Sequence, residues 1–278
     1  MKTNYYFINN DSRFINIAGD DRQDFLQGLI TNDVKVCNRN NPIYSCILSP
    51  QGKFLADFFI IELDGSYLIE IHNQFFDNIF QELQLYVLKS KVIITENNNY
   101  LSCVLFNNKI TVPNYLISFQ DPRKNNIGIK YILNTYNSSS FKKLGFTPVD
   151  INYYKEILMK NLIPYSPDDL IENKSLLLEN NFQNINALSW DKGCYVGQEI
   201  TARMKYRALL KKKIYTLGII SGSMQVGEKI TIDDISIGEI ISITKKYAIA
   251  MLKIDAANEV IKNDNVIDLS NATVKIIH

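Results

Sequence analysis

Histidine is almost missing from this chain: His72 and His278 are the only two in 278 residues. A Ser-His-Asp triad therefore has no adequate base, and each histidine reads as structural or solvent-facing. Cysteine is also scarce. Cys37, Cys46, Cys103 and Cys194 never stand as a C-x-x-C pair. That excludes a closed structural zinc site and a self-contained four-cysteine cluster site, so no metal site is expected. Charge of one sign is missing too. The formal net charge is +1, so no global field draws the chain to nucleic acid or a membrane, and direct nucleic-acid binding is not expected. Long apolar runs are absent: Phe58-Phe59-Ile60-Ile61 is far too short to span a bilayer. The opening MKTNYYFINND has no apolar centre and does not read as a secretory signal. The expected compartment is a reducing cytoplasm with free thiols. No phosphate loop is present, because Gln51-Gly52-Lys53 lacks the spacing and the following helix.

What remains is the composition of an ordinary globular protein, 46% hydrophobic and 21% charged, long enough for one large domain or two smaller ones. Asp20-Asp21 followed by Phe25, Leu26, Leu29 and Ile30 predicts a helix over about 20–31. Ser45–Leu48 and Leu55–Leu63 read as strands joined by the turn Ser49-Pro50-Gln51-Gly52-Lys53. Asp64-Gly65 turns the chain into a third strand, Tyr67–Ile71. Phe75, Phe76, Ile79, Phe80 and Leu83 predict a helix over about 74–89. Further strands are expected at Val92–Thr95 and Tyr100–Leu105, and a short helix at 152–161. Residues 107–150 are weakly patterned.

After Ala208 come short strands, Lys213–Ile220, Lys229–Ile232, Ile237–Thr244 and Tyr247–Ile254, punctuated by glycines and with no strong helix. They suggest a small barrel. The fold class is thus α+β, with an α+β region over 1–207 and a C-terminal β-barrel over 208–278. A monomer is the default expectation.

The stretch with chemical content is KGCYVGQE at 192–199. A thiol acts as nucleophile or ligand through its thiolate. If Cys194 stands at the start of a helix formed by GQEITARMKYR, the helix dipole and Lys192 both favour that form. Gly193 and Gly197 permit unusual backbone angles. The residues alone leave two readings open, a reactive thiol and a glycine turn carrying an inert cysteine. Cys46 and Cys103 read as core fillers, and Cys37 as exposed. Arg203, Lys205, Arg207, Lys211, Lys212 and Lys213, around Tyr206, read either as a solvated helix end or as an anion site.

The run WDKGCYVGQE at 190–199, followed by Thr201-Ala202-Arg203, resembles the signature of the YgfZ family, folate-binding relatives of the glycine-cleavage T-protein (aminomethyltransferase). FLQGLITNDV at 25–34 and LSPQGKFLADFFI at 48–60 are similar to the family's N-terminal helix and first hairpin. The resemblance implies a T-protein-like body with a C-terminal barrel, binding tetrahydrofolate or a one-carbon derivative. It implies a role in assembly or repair of iron–sulfur proteins, mainly [4Fe–4S], including enzymes of tRNA modification; the partners would be client or assembly proteins. Cys194 would be the reactive thiol, with Lys192 beside it. Glu179 stands where T-protein-like folds bind the pterin ring, and Asp57, Tyr195 and Arg203 complete the expected folate site; by their charge, Arg203 and its neighbouring cations suit the glutamate tail.

Three positions depart from the pattern: Ala56 replaces one of two adjacent acids, Leu177 a frequent proline, and Ala208 a frequent glycine. The missing acid weighs against the alternative of a folate-dependent aminomethyltransferase. A further alternative is a non-catalytic module binding RNA or protein through residues 203–213.

Overall fold

The computed structural model describes residues 4–106, 115–134, 141, 144–207 and 209–278. Residues 107–114 of the weakly patterned stretch, and Ala208 at the expected domain change, lie outside the described residues. Within them the strands form three sheets.

The first sheet contains β3 (Ile43–Leu48), β4 (Phe54–Leu63), β5 (Ser66–His72), β2 (Ser12–Ala18) and β6 (Ile93–Asn97), in that order and all antiparallel. β3 is buried along its whole length and β4 nearly so, because this sheet is covered on both faces. The second sheet runs β10 (Thr147–Pro148), β1 (Tyr5–Asn9), β7 (Tyr100–Leu105), β9 (Ile129–Asn134) and β8 (Tyr115–Gln120). Here only β1 and β10 pair in parallel. The two sheets exchange strands: β1 and β2 are consecutive but lie in different sheets, as are β6 and β7. One apolar core built from Phe14, Tyr44, Phe54, Phe58, Phe75 and their neighbours joins both sheets.

The sequence reading did not assign β1 and β2. Their YYFIN and SRFINIA alternate imperfectly, since residues on both faces are buried. The helix expected over 20–31 is shorter, α1 (Arg22–Gln27). After it the chain must straighten, because Ile30 bridges Ile47 and Thr31 shares hydrogen bonds with Cys46. α2 (Asn73–Val87) buries Phe75, Phe76, Ile79 and Leu83, and the His72 ring accepts the Gln74 N–H at 3.1 Å as its cap. α3 (Ile151–Lys160) is capped by Asp150, which accepts the Tyr153 N–H at 3.0 Å. A single turn, α4 (Ser166–Asp169), follows. α5 (Gln198–Tyr206) begins within the last two residues of the cysteine motif.

The third sheet is nearly closed and barrel-like: β12 (Lys229–Ile232), β13 (Ile235–Ile243), β14 (Tyr247–Lys253), β11 (Lys212–Gly222), β16 (Ala272–Ile276) and β15 (Val266–Asp268). The four strands expected there are present. The expectation of no strong helix is corrected by α6 (Ile254–Lys262), which buries Ala257 and Val260. The strand pattern of β14 runs straight into DAANEV, and the change of period falls inside one apolar run. No helix among the described residues is long and apolar enough to cross a membrane.

Candidate functional site

Three features carry chemistry, and the fold keeps them apart.

The first is the cysteine loop. Cys194 is exposed, whereas Cys37, Cys46 and Cys103 are buried. Cys37 corrects the sequence reading: its neighbours VKV form a one-turn helix, and the thiol tucks inward to donate to the Ile60 carbonyl at 3.3 Å. Burial pushes that thiol up to about 12, and burial also raises Cys46 and Cys103 above the ordinary range. Cys194 does not open the helix as supposed; Gly197 is the cap residue and α5 begins at Gln198.

The loop is held from beneath. Lys192 is 9% exposed, and its ammonium donates to the carbonyls of Gln27 at 2.8 Å, Ile30 at 2.7 Å and Asn32 at 2.8 Å. An ammonium has three donors, and all three are committed inward. Lys192 therefore fixes the loop to the chain after α1 instead of being aimed at the thiol. Burial lowers its amine to about 8, with Asp33 opposing. Tyr195 is buried beside it, and the Val196 N–H donates to the Gly28 carbonyl at 3.1 Å.

Gly197, at φ +78°, packs directly on the β3–β4 turn. A Cβ there would lie 2.5 Å from the Ser49 oxygen and 2.8 Å from Leu48 Cβ. Gly52 in that turn, at φ +69°, faces Ile200 in the same way. So SPQGK and KGCYVGQE, far apart in sequence, clamp each other through two glycines. Gly193 differs: its φ is outside the left-handed region, and a Cβ would meet nothing within 4 Å. On α5, Arg203 is exposed, and Lys205 lies 3.7 Å above the Trp190 ring.

The second feature is a small cavity of about 60 Å³ where the first two sheets meet. Asp57 points into it from β4 and accepts a short hydrogen bond from Tyr44. Ala56, the position of the missing acid, is fully buried on the opposite face of the strand. Burial raises the Asp57 carboxyl, while the Tyr44 and Ser166 hydroxyls work against that rise. The other walls come from residues that sequence reasoning missed. Glu70 and Lys130, both buried, pair at 2.9 Å. Arg123 grips Asp121 through two bonds of 3.0 and 2.8 Å and donates to Tyr154 at 2.7 Å. Glu70 Oε2 is buried in this wall with no hydrogen-bond partner. The available signal was Glu70 within SYLIEIH, a charge in an otherwise buried strand.

The third feature is a cleft of about 410 Å³ between the body and the third sheet. Glu179 lines it, 16% exposed, with Lys212 of β11 at 3.7 Å. Asn180 beside it is 1% exposed; its amide donates to Leu176, and its Oδ1 has no partner. Asp169 stands on the same cleft, where it accepts the Tyr165 N–H at 2.6 Å and a short bond from Ser242 of β13. Burial raises Asp169 to about 6. The single turn α4 separates the two spaces: Ser166 and Pro167 face the small cavity, Asp168 and Asp169 the cleft. Asp57 and Glu179, expected in one site, thus line neighbouring spaces. Arg203, Tyr195 and Cys194 line neither.

The architecture is that of an aminomethyltransferase. The chain superimposes on the glycine cleavage system aminomethyltransferase T of Bartonella henselae with a TM-score of 0.76, covering 99% of this chain and 85% of that one, at 10% identity. No family model matches the chain. In sequence it is a homologue of the IBA57 and YgfZ proteins. It is 29% identical over 219 residues to the mitochondrial iron–sulfur cluster assembly factor IBA57 homologue of Mycosarcoma maydis, covering 73% of this chain and 54% of that protein. It is 26% identical over 243 residues to the tRNA-modifying protein YgfZ of Aliivibrio fischeri, covering 83% and 75%. The chain spans about half the length of the IBA57 homologue it resembles.

Proposed function

We propose that this chain is a tetrahydrofolate-binding factor for the assembly or repair of iron–sulfur proteins, mainly of the [4Fe–4S] kind, with Cys194 as the thiol that meets the cluster or its sulfur. The observation that carries the proposal is the contrast among the cysteines. Three are buried in apolar surroundings, and the fourth is presented to solvent on a loop fastened by Lys192, Tyr195 and Gly197. A single exposed thiol on a rigid support suits transient contact with a cluster, its cargo, that a client or assembly protein also holds. IBA57 is named as an assembly factor and YgfZ as tRNA-modifying, which supports clients of the same classes here. The expected cytoplasmic location stands beside a mitochondrial alternative, since the IBA57 relative is named mitochondrial.

The Glu179 cleft fits the folate head. Its volume lies in the range of small-molecule sites, whereas the Asp57 cavity is far below it. A carboxylate and the orphaned Asn180 Oδ1 are acceptors suited to the amino and ring N–H groups of a reduced pterin. When bound, the folate would supply a one-carbon carrier. The chain's own residues would orient it between body and barrel.

Two measurements test the proposal. Calorimetry with tetrahydrofolate should give micromolar binding that Glu179→Ala abolishes; no binding by the wild type would remove folate from the reading. Cys194→Ser should fold normally yet fail to restore [4Fe–4S] enzyme activity in cells lacking their own homologue. Full restoration by that variant would reject the thiol's role.

A further inference from the structure

The Glu179 cleft does not end at Glu179. A second groove of about 280 Å³ continues from it along the outer face of the third sheet, and the two share Lys212, Glu239 and Met251 as walls. The groove adds Lys229 of β12 and Lys253 of β14. Strand register explains why these lysines converge. Lys212 and Lys253 are cross-strand partners on β11 and β14. Lys229 pairs with Glu239 across β12 and β13, and Glu239 pairs with Met251 across β13 and β14. Alternation puts Met251 and Lys253 on the same outward face, while Ala250 and Leu252 are buried in the barrel.

The combined groove is therefore bipolar. Its inner part carries Asp168, Asp169, Glu179 and Glu239 against Lys174 and Lys212. Its outer part carries Lys212, Lys229 and Lys253 against Glu239 alone. An acceptor-rich end leading into a cationic end suits a ligand with an N–H-donating head and a polyanionic tail.

We infer that the lysine-walled groove is the subsite for the γ-linked polyglutamate tail of a folate whose head occupies the Glu179 cleft. The inference rests on the folate reading above and replaces Arg203, which lines neither groove, as the cation set for the tail. Lys212 stands at the junction, already paired with Glu179, so Lys229 and Lys253 are the cations left for the tail. Lys253 donates to the Ser236 carbonyl at 2.8 Å, which holds its ammonium over the groove. Glu239 opposes the tail, but the lysines of the groove outnumber it.

The test is calorimetry on the full chain with tetrahydrofolate carrying one or five glutamates. The wild type should bind the pentaglutamate at least about tenfold more tightly, and the gain should shrink as salt rises. Lys229→Gln/Lys253→Gln should bind the two ligands alike, and Lys229→Arg/Lys253→Arg should keep the preference. Glu239→Gln should enlarge it. Equal binding of both ligands by the wild type overturns the tail subsite and leaves the head reading standing, as does a preference that survives the double glutamine variant. If neither ligand binds the wild type, the head reading falls and takes the subsite with it.

Discussion

Gly193→Ala and Gly197→Ala differ by four residues in one motif, and the structure expects opposite outcomes. At Gly197 the backbone is left-handed, φ +78°, which costs a residue with a Cβ roughly 1 kcal/mol. The new methyl group would also meet the Ser49 oxygen at 2.5 Å and Leu48 Cβ at 2.8 Å. That oxygen cannot move away cheaply, because it accepts the Gly52 N–H at 2.8 Å and the turn is closed by the Ser49 N–H on the Lys53 carbonyl at 2.8 Å. Overpacking of this kind costs about 1–3 kcal/mol. The sum is about 2–4 kcal/mol, a fall in Tm of roughly 5–15 °C for a chain of this size. At Gly193 a Cβ meets open space and φ is unstrained, so alanine removes only unfolded-state freedom. Its effect should lie within about 1 kcal/mol, toward stabilisation. Urea unfolding of the two variants beside the wild type is the assay. Equal losses at both positions, or a Gly197→Ala protein that melts with the wild type, would refute the clamp between SPQGK and KGCYVGQE.

Lys192→Met should destabilise the fold by about 2–4 kcal/mol in the same assay, because three carbonyls lose a charged donor at once; a loss below about 1 kcal/mol would show that water replaces the ammonium freely. Native thiol labelling should modify one cysteine per chain and none in Cys194→Ser, whose unfolding midpoint should match the wild type; two or more reactive thiols would contradict the burial of Cys37, Cys46 and Cys103. Asp169 gives a pH signature. Its folded carboxyl is raised to about 6, so between about pH 4 and pH 6 the folded state binds more protons than the unfolded state, and stability falls as pH rises through that window. Relative to Asp169→Asn, the wild type should lose about 3 kcal/mol across it, and a flat difference would show that Ser242 and Tyr165 hold the carboxylate ionised.

Much of this protein is local and therefore legible in the chain itself. The β3–β4–β5 hairpins follow from alternating apolar runs broken by Pro50, Gly52 and Asp64-Gly65, and α2 follows from Phe75, Phe76, Ile79 and Leu83. The motif around Cys194 could be singled out because glycines and a cysteine at that spacing are unusual. Three-dimensional neighbours decided the rest. Burial of Cys37, the inward turn of Lys192 and the contact of Gly197 with Ser49 all join segments far apart in sequence, and no local pattern encodes such pairs. The cavity acids and bases were hidden for the same reason: Glu70, Arg123 and Lys130 look like surface charges one at a time, and only the meeting of two sheets makes them partners. Glu179 and Asp57 were expected in one site from the family resemblance, yet the single turn Ser166–Asp169 stands between them. Sequence determined which side chains could do chemistry, because that is a property of the residues. Which of them meet, which are buried and which face water depended on long-range packing, which only the folded chain specifies.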